Sequence, residues 1–288
     1  MSSRESTLEH IRSLIYCLVN IEDTTGEFLQ TLDDGRIIDT KSWNNPRYCS
    51  WEWTHGVGLY GLLKFHQVTD DAEAINLGLE WFRAQVLTRG TTKNINTMSP
   101  FLAAAIKYLQ DLKTGLWFHG WTFNGHHHFA AALWGRGNCW VTIAIPDFIE
   151  LLDLPATDGL RSFLVSSLAR QIDALVACQD PASGLWHTIL DDPSTYLEAS
   201  ASAGFAYGIF KALRMRLIPH EKKYVNAAKN AILGVVDNIT PEGELLQTSF
   251  GTPVFDNIED YNKVKLTSMP YGQSLALLAL TEYLRTFI

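Results

Sequence analysis

The sequence predicts an all-α protein made of helical hairpins in an inner and an outer layer, closed into a toroid. Three observations point there. Apolar residues recur at helical spacing along nearly the whole chain. Four segments open a helix with the same mixture of aromatic residues, small residues and glycine: WTHGVGLYGLLKF (53–65), WGRGNCWVTIAI (134–145), SASAGFAYGIFKAL (200–213) and MPYGQSLALLAL (269–280). Between them lie more polar amphipathic helices, such as Glu221 to Val236 with Lys222, Lys223 and Lys229. Alternation of small-residue helices with amphipathic ones is what stacked helical hairpins require, because glycine and alanine let inner backbones approach closely.

Element by element, Leu8 to Val19 is amphipathic through Leu8, Ile11, Leu14, Ile15 and Leu18, and Val57 to Phe65 and Ala72 to Val86 follow. Met98 to Leu112, Val141 to Leu152 and Leu160 to Cys178 continue the pattern. Leu197 to Leu213, Glu221 to Val236 and Gly272 to Phe287 complete it, giving about nine helices by this spacing. Asp71, Asp158 and Pro219 are helix-start signals. Strand-like alternation is confined to short pieces around Gly243 to Val254, which read as a hairpin or an ordered loop. No linker rich in Pro, Gly or Ser interrupts the 288 residues, so one domain over 1–288 is expected.

Composition narrows the function classes. A formal net charge of -8 argues against a nucleic-acid surface, which usually carries a basic stripe. Four cysteines without a Cys-x-x-Cys pair disfavour a disulfide framework, a zinc site and a redox motif. A zinc-dependent toroid would need clustered Cys and His ligands, so a zinc site is not expected. Glu9, His10 and Arg12 interrupt the apolar positions of the N-terminal segment, which therefore does not read as a secretion signal, and no stretch reaches membrane-spanning length. A soluble, cytoplasmic protein is the expectation. All nine tryptophans fall between Trp43 and Trp186, a concentration that marks one part of the chain.

Within that part, Trp117, His119 and Trp121 alternate along one side of an extended loop, and Trp134, Arg136, Asn138 and Trp140 open a helix. Indole faces stack on the C–H faces of sugar rings, a guanidinium forks onto a carboxylate, and an Asn amide reads hydroxyls. Together they read as a subsite for an acidic sugar; singly, each tryptophan reads as core. His187 follows a second Gly-Leu-Trp, TGLW at 114–117 being matched by SGLW at 183–186, and either bonds substrate or caps a turn. GHHHF (125–129) places three histidines side by side, which point apart and suit a polar loop better than a metal. Candidate acids are Glu52, Asp191 with Asp192, and Glu198; Asp-Asp-Pro reads first as a turn, and Glu198 either caps a helix or faces the pocket. A nucleophile elbow and a phosphate-binding glycine loop are both absent.

The blocks TGLWFHGW, WGRGNCW, SGLWHTILDDPSTYLEASAS and MPYGQS, in this order, resemble glycoside hydrolase family 105, the unsaturated rhamnogalacturonyl hydrolases. The resemblance implies a six-hairpin (α/α) toroid and removal of a terminal 4,5-unsaturated uronic acid from pectin-derived oligosaccharides. It implies a mechanism in which an acid protonates the C4=C5 enol ether, water adds at C5 and the hemiketal opens, without a metal or organic cofactor. It places His119, Trp121, Arg136, Trp140 and His187 around the uronate, with Arg136 on the carboxylate and Trp140 or Trp134 on the ring. NINTMSP (94–100) resembles the start of another inner helix, with Asn96 near a polar active-site position.

One departure from the family pattern concerns the acid. Relatives carry Trp-Asp-Asp followed by Phe-Met between the NINT and TGLW blocks, and that motif supplies it. Here NINTMSPFLAAAIKYLQDLKTGLW joins the two blocks through a single helix. The expectation is an internal segment of about three helices missing near 103–110, through a splice form, a gene-model error or a real deletion. The catalytic acid is then unassigned, with His119 and Asn96 as candidates. Two functions follow: a hydrolase of the unsaturated-uronyl class, or a remnant that binds acidic oligosaccharides without turning them over.

Overall fold

A computed structural model describes residues 4–31, 35, 37–45, 47–48, 53–87, 109–122 and 125–287. Among them are nine helices: α1 (Arg4–Asn20), α2 (Trp53–Thr69), α3 (Ala72–Leu87), α4 (Gly135–Leu151), α5 (Gly159–Cys178), α6 (Ala199–Arg214), α7 (Lys222–Val236), the short α8 (Ile258–Asn262) and α9 (Pro270–Phe287). Three antiparallel two-stranded pairs accompany them. They are β1 (Leu29–Thr31) with β2 (Ile37–Asp39), β3 (Trp186–His187) with β4 (Leu197–Glu198), and β5 (Thr248–Ser249) with β6 (Leu266–Thr267).

The four repeated segments are α2, α4, α6 and α9, so the inner-helix pattern is carried by these helices. α4 begins at Gly135, so the WGRGN segment opens the helix as expected and the apolar period from Val141 continues it. The 243–254 stretch is not a hairpin on itself: Thr248 and Ser249 pair with Thr267 and Leu266. Most of the helix expected at 98–112 lies outside the described residues, as do Asn96 and Glu52. Asp71 and Asp158 cap their helices as read, accepting from the Ala74 and Arg161 amides.

The chain divides into two compact units: Met1–Lys93 with Asn238–Leu246 and Ser268–Ile288, and Asn94–Asp237 with Gln247–Thr267. In the first, α2 and α9 run parallel with glycines at their contact. A Cβ on Gly58 would meet Ser274 Oγ at 3.0 Å, and one on Gly61 would meet Leu277 Cδ2 at 2.9 Å. α1 packs on α9 through Ile11, Leu14 and Leu18, all fully buried, and α3 packs on α2.

In the second unit α4 and α6 repeat this arrangement. A Cβ on Gly204 would lie 2.9 Å from Cys139 Sγ, and one on Gly208 would collide with the Thr142 carbonyl. Pro146 explains that carbonyl: it has no N–H to give to Thr142 four residues back, so the oxygen is left for the neighbouring helix to cover. Every residue of α6 from Ala199 to Leu213 is buried, as an inner helix demands. α5 and α7 are the amphipathic outer partners, α7 burying Tyr224, Ala227, Ala228, Ala231, Ile232 and Val235 while exposing Lys222 and Lys223.

A repeated turn leads into three of the inner helices. In TGLW, SGLW and EGEL the glycine takes a left-handed φ: Gly115 at 84°, Gly184 at 73° and Gly243 at 90°. The residue opening each turn accepts the glycine N–H: Asp111, Asp180 and Thr240. The amide two residues after Gly115, Gly184 or Gly243 then donates to a polar side chain near the start of the following inner helix. Trp117 gives to Asn138 Oδ1, Trp186 to Ser202 Oγ and Leu245 to Gln273 Oε1. Each glycine also lies against the backbone of an outer helix: Arg170 in α5, Asn230 in α7 and Ser13 in α1.

Candidate functional site

The described residues singled out by sequence lie at the N-terminal ends of α4 and α6 and in the loops 111–134 and 186–198, within the second unit. Trp134 is the N-cap position of α4, extended at φ -67° and ψ 125°, and Arg136 is two residues inside the helix. The guanidinium is 1% exposed and sits 4.9 Å above the Trp134 ring, a cation–π contact. Nη1 donates to Ser249 O at 2.7 Å, Ser249 Oγ at 2.6 Å and Glu198 Oε1 at 3.2 Å. Nη2 donates to Phe250 O at 3.0 Å and Thr252 Oγ1 at 3.2 Å.

Glu198 resolves the choice between cap and pocket in favour of the cap. Its side chain accepts from the Ala201 amide at the start of α6, from Ser200 Oγ at 2.7 Å and from the Ser249 amide at 2.9 Å, besides Arg136. One carboxylate thus ties α6, β5 and α4 together, with both ion-pair partners 1% exposed. A buried charge pair persists only when most of its remaining donors and lone pairs are satisfied, and here Nη1, Nη2 and both carboxylate oxygens are bonded.

His119 meets this cluster from the 111–134 loop. Its N–H goes to Ala132 O, its ring lies 4.1 Å from Trp134 at 39°, and Nδ1 is 2.8 Å from Tyr261 Oη. Burial first, and the neighbouring Arg136 charge second, lower its pKa to about 4. The imidazole is therefore neutral at pH 7, where a His acid would have to carry its proton. Tyr261, on α8, was not singled out by sequence; it sits in a polar stretch, DNIEDYNK, where only the Asn257 cap marks a helix start. It packs with Ala132, Trp134 and Ile189.

Asn138 is fully buried, its amide giving to Trp117 O and Trp134 O and accepting from the Trp117 amide. Gln171 on α5 adds a further bond to its oxygen. Asn138 is thus the clip of the repeated turn and sets where Trp117 lies. Trp140 is half-buried on α4, and Trp121 meets His128 edge-on at 4.7 Å. Of the three adjacent histidines, His128 also packs on Phe118 at 4.1 Å, while His126 and His127 are exposed on the loop. No group of three potential metal ligands occurs among the described residues. His187 Nδ1 lies 2.5 Å from Thr195 O, and since a carbonyl only accepts, Nδ1 carries the hydrogen. Asp192 is the turn expected of Asp-Asp-Pro, accepting from Ser194 N and Oγ, which lower its pKa.

The two Gly-Leu-Trp turns differ in one respect that bears on ligands. The Trp186 indole N–H is given to Leu175 O, whereas the buried indole N–H groups of Trp117 and Trp134 have no partner among the described residues. Donors of that kind are unusual in a settled core and suit a polar guest.

Comparison with known proteins identifies the family. The sequence profile of Glycosyl Hydrolase Family 88 matches residues 20–110 and 103–287. Unsaturated rhamnogalacturonyl hydrolase YesR of Bacillus subtilis (strain 168) is 35% identical over 179 residues, which cover 62% of this chain and 49% of that protein. The chain spans about half the length of the curated relatives it matches. The crystal structure of a possible member of GH105 family from Salmonella enterica serovar Paratyphi A superposes with a TM-score of 0.90 at 41% identity. The superposition covers 100% of this chain and 96% of that one. A possible GH105 member from Klebsiella pneumoniae gives 0.91 and 40%, covering 100% and 95%. The all-helical fold class is that of these proteins, and among the described residues no helix is long and apolar enough to cross a membrane. The chain belongs to the family of that profile, Glycosyl Hydrolase Family 88, and groups with the GH105 proteins.

Proposed function

We propose that the chain is a hydrolase that removes a 4,5-unsaturated uronic acid from the end of an acidic oligosaccharide, with pectin-derived rhamnogalacturonan fragments as the substrate class. The observation that carries this reading is the cluster at the start of α4: the Trp134 indole in contact with His119 and Arg136, with its own N–H unpartnered among the described residues. An indole N–H beside a neutral imidazole and a guanidinium suits a sugar bearing hydroxyls and a carboxylate. Trp117, Trp121, Trp140 and His187 extend the same set, and Asn138 acts through Trp117. For a uronate to reach the guanidinium, the Nη2 bonds to Phe250 O and Thr252 Oγ1 have to be exchanged for bonds to the carboxylate. Binding is therefore coupled to movement of the 250–252 loop. His119, neutral at pH 7, serves as a hydrogen-bonding group and not as the proton donor to C4=C5.

The segment joining the NINT and TGLW blocks is, in this proposal, a real shortening of the family pattern. Its support is that the two profile-matched stretches overlap at 103–110, and that the Salmonella chain, 96% covered, has nearly the same extent. The test is loss of the near-UV absorbance of the C4=C5 chromophore when lyase-generated oligouronides are added to the purified chain. Steady loss supports the hydrolase. Calorimetric binding of the same oligosaccharides with unchanged absorbance rejects it in favour of a binding protein.

A further inference from the structure

The His119–Tyr261 contact assigns a hydrogen that the site's chemistry depends on. Tyr261 Oη lies 2.8 Å from His119 Nδ1 and receives the Phe255 amide N–H at 3.4 Å. The phenol carries one hydrogen, and among the described residues His119 Nδ1 is the acceptor within hydrogen-bond reach of it, the Phe255 amide being a donor. The phenol ring is seated for this: it is 1% exposed, meets Phe255 edge-on at 5.0 Å and 84°, and packs with Ala132, Trp134 and Ile189. The imidazole is equally fixed, through its backbone bond to Ala132 and its stacking on Trp134.

We propose that Tyr261 is a positioning residue: its hydroxyl donates to Nδ1 of His119, fixes the Nε2–H tautomer and so makes His119 a hydrogen-bond donor toward an acceptor oxygen of the bound sugar. The role toward sugar rests on the proposed function; the tautomer rests on the protein's own geometry. The second histidine of the set has the opposite arrangement. His187 holds its hydrogen on Nδ1 against the Thr195 carbonyl, which leaves Nε2 as an acceptor. Nε2 is thus a donor in one imidazole and an acceptor in the other. Neutrality of His119 at pH 7, produced by burial and by Arg136, agrees with one ring nitrogen being free to accept.

The experiment is long-range 1H–15N NMR at neutral pH on the full chain carrying 15N-labelled histidine. The His119 signals are assigned by their loss in His119→Gln. The expected spectrum has a protonated Nε2 and an unprotonated Nδ1. In Tyr261→Phe, which keeps the ring and removes only the hydroxyl, a mixture of tautomers is expected. Turnover of unsaturated oligouronides by that variant should fall about tenfold, the loss of one hydrogen bond's orientation. A wild-type His119 with its hydrogen on Nδ1 overturns the proposal, as does a tautomer unchanged in Tyr261→Phe. Absence of turnover in the wild type would overturn the hydrolase reading alone, because the tautomer is read without substrate.

Discussion

The two ends of the α4–α6 pair solve the same problem in opposite ways. At the N-terminal end the buried cation is Arg136 on α4, and the carboxylate is Glu198, the cap of α6. At the C-terminal end the buried cation is Lys211 on α6, paired with Asp147 and Glu150 on α4, with Tyr207 also bonded to Asp147. For α6 both placements agree with the helix dipole, which favours an anion where the helix begins and a cation near where it ends; for α4, with Arg136 at its start and Asp147 and Glu150 near its end, both oppose it. The difference lies in what else is held. Lys211 binds helix to helix and nothing beyond, and its carboxylates are 18% and 33% exposed. Arg136 and Glu198 also hold the amide or carbonyl groups of Ser249 and Phe250, so they suspend a loop above the helix ends. One end is a clamp and the other is a mounting for the site.

That contrast is sharpest under substitution. Glu198→Ala should be the most damaging change, costing about 3–5 kcal/mol, because it leaves Arg136 buried without its counter-charge and removes the cap of α6. Denaturant midpoints at constant m would read it, and a loss under about 1 kcal/mol would make the two ends equivalent.

A second way to separate them is by pH. His119 belongs to the site end and its pKa is lowered from 6.5 to about 4. The unfolded chain therefore takes up this proton before the folded one does. Stability from this group is complete above pH 6.5 and is lost as pH falls from there toward 4, by about 3 kcal/mol. In His119→Gln that part of the slope should vanish, and an unchanged slope would place the titration elsewhere.

The mildest expected change is Lys211→Met, at about 1–2 kcal/mol, since Asp147 and Glu150 retain access to water once the cation is gone. Its effect on oligouronide turnover should be small beside that of Glu198→Ala. A Lys211 variant as inactive as the Glu198 one would show that the clamp sets the site as well.

What the sequence revealed follows from the range of the interactions involved. The inner helices α2, α4, α6 and α9 were legible because their glycines and alanines repeat, and the caps at Asp71 and Asp158 because they act within three residues. The gathering of Trp134, Arg136 and His119 was legible only as a type of composition. The partner of Arg136 was not, because Glu198 and Ser249 are brought to it by tertiary packing, which leaves no spacing to read. Asn138 was read as a ligand for hydroxyls when it is the clip of a turn; the comparison with Ser202 and Gln273 that reveals this needs the three amides they bind. Tyr261 stood in a polar loop segment with no period at all, so nothing local distinguished it.

The turn glycines carry a consequence for how the chain is made. Gly115 and Gly184 each rest on the outer helix that follows the inner helix they introduce, α5 and α7. Gly243 introduces α9, after which the structure describes no further helix, and it rests on α1 instead, at Ser13. α1 is therefore seated by a turn that lies far along the chain. Until that turn and α9 are in place α1 lacks its partner, and joining them closes a loop of most of the described residues, at an entropic cost on the order of 5 kcal/mol. A circular permutant that attaches α1 behind α9 would remove that delay while keeping the same contacts, turning the slowest contact to form into one of the most local.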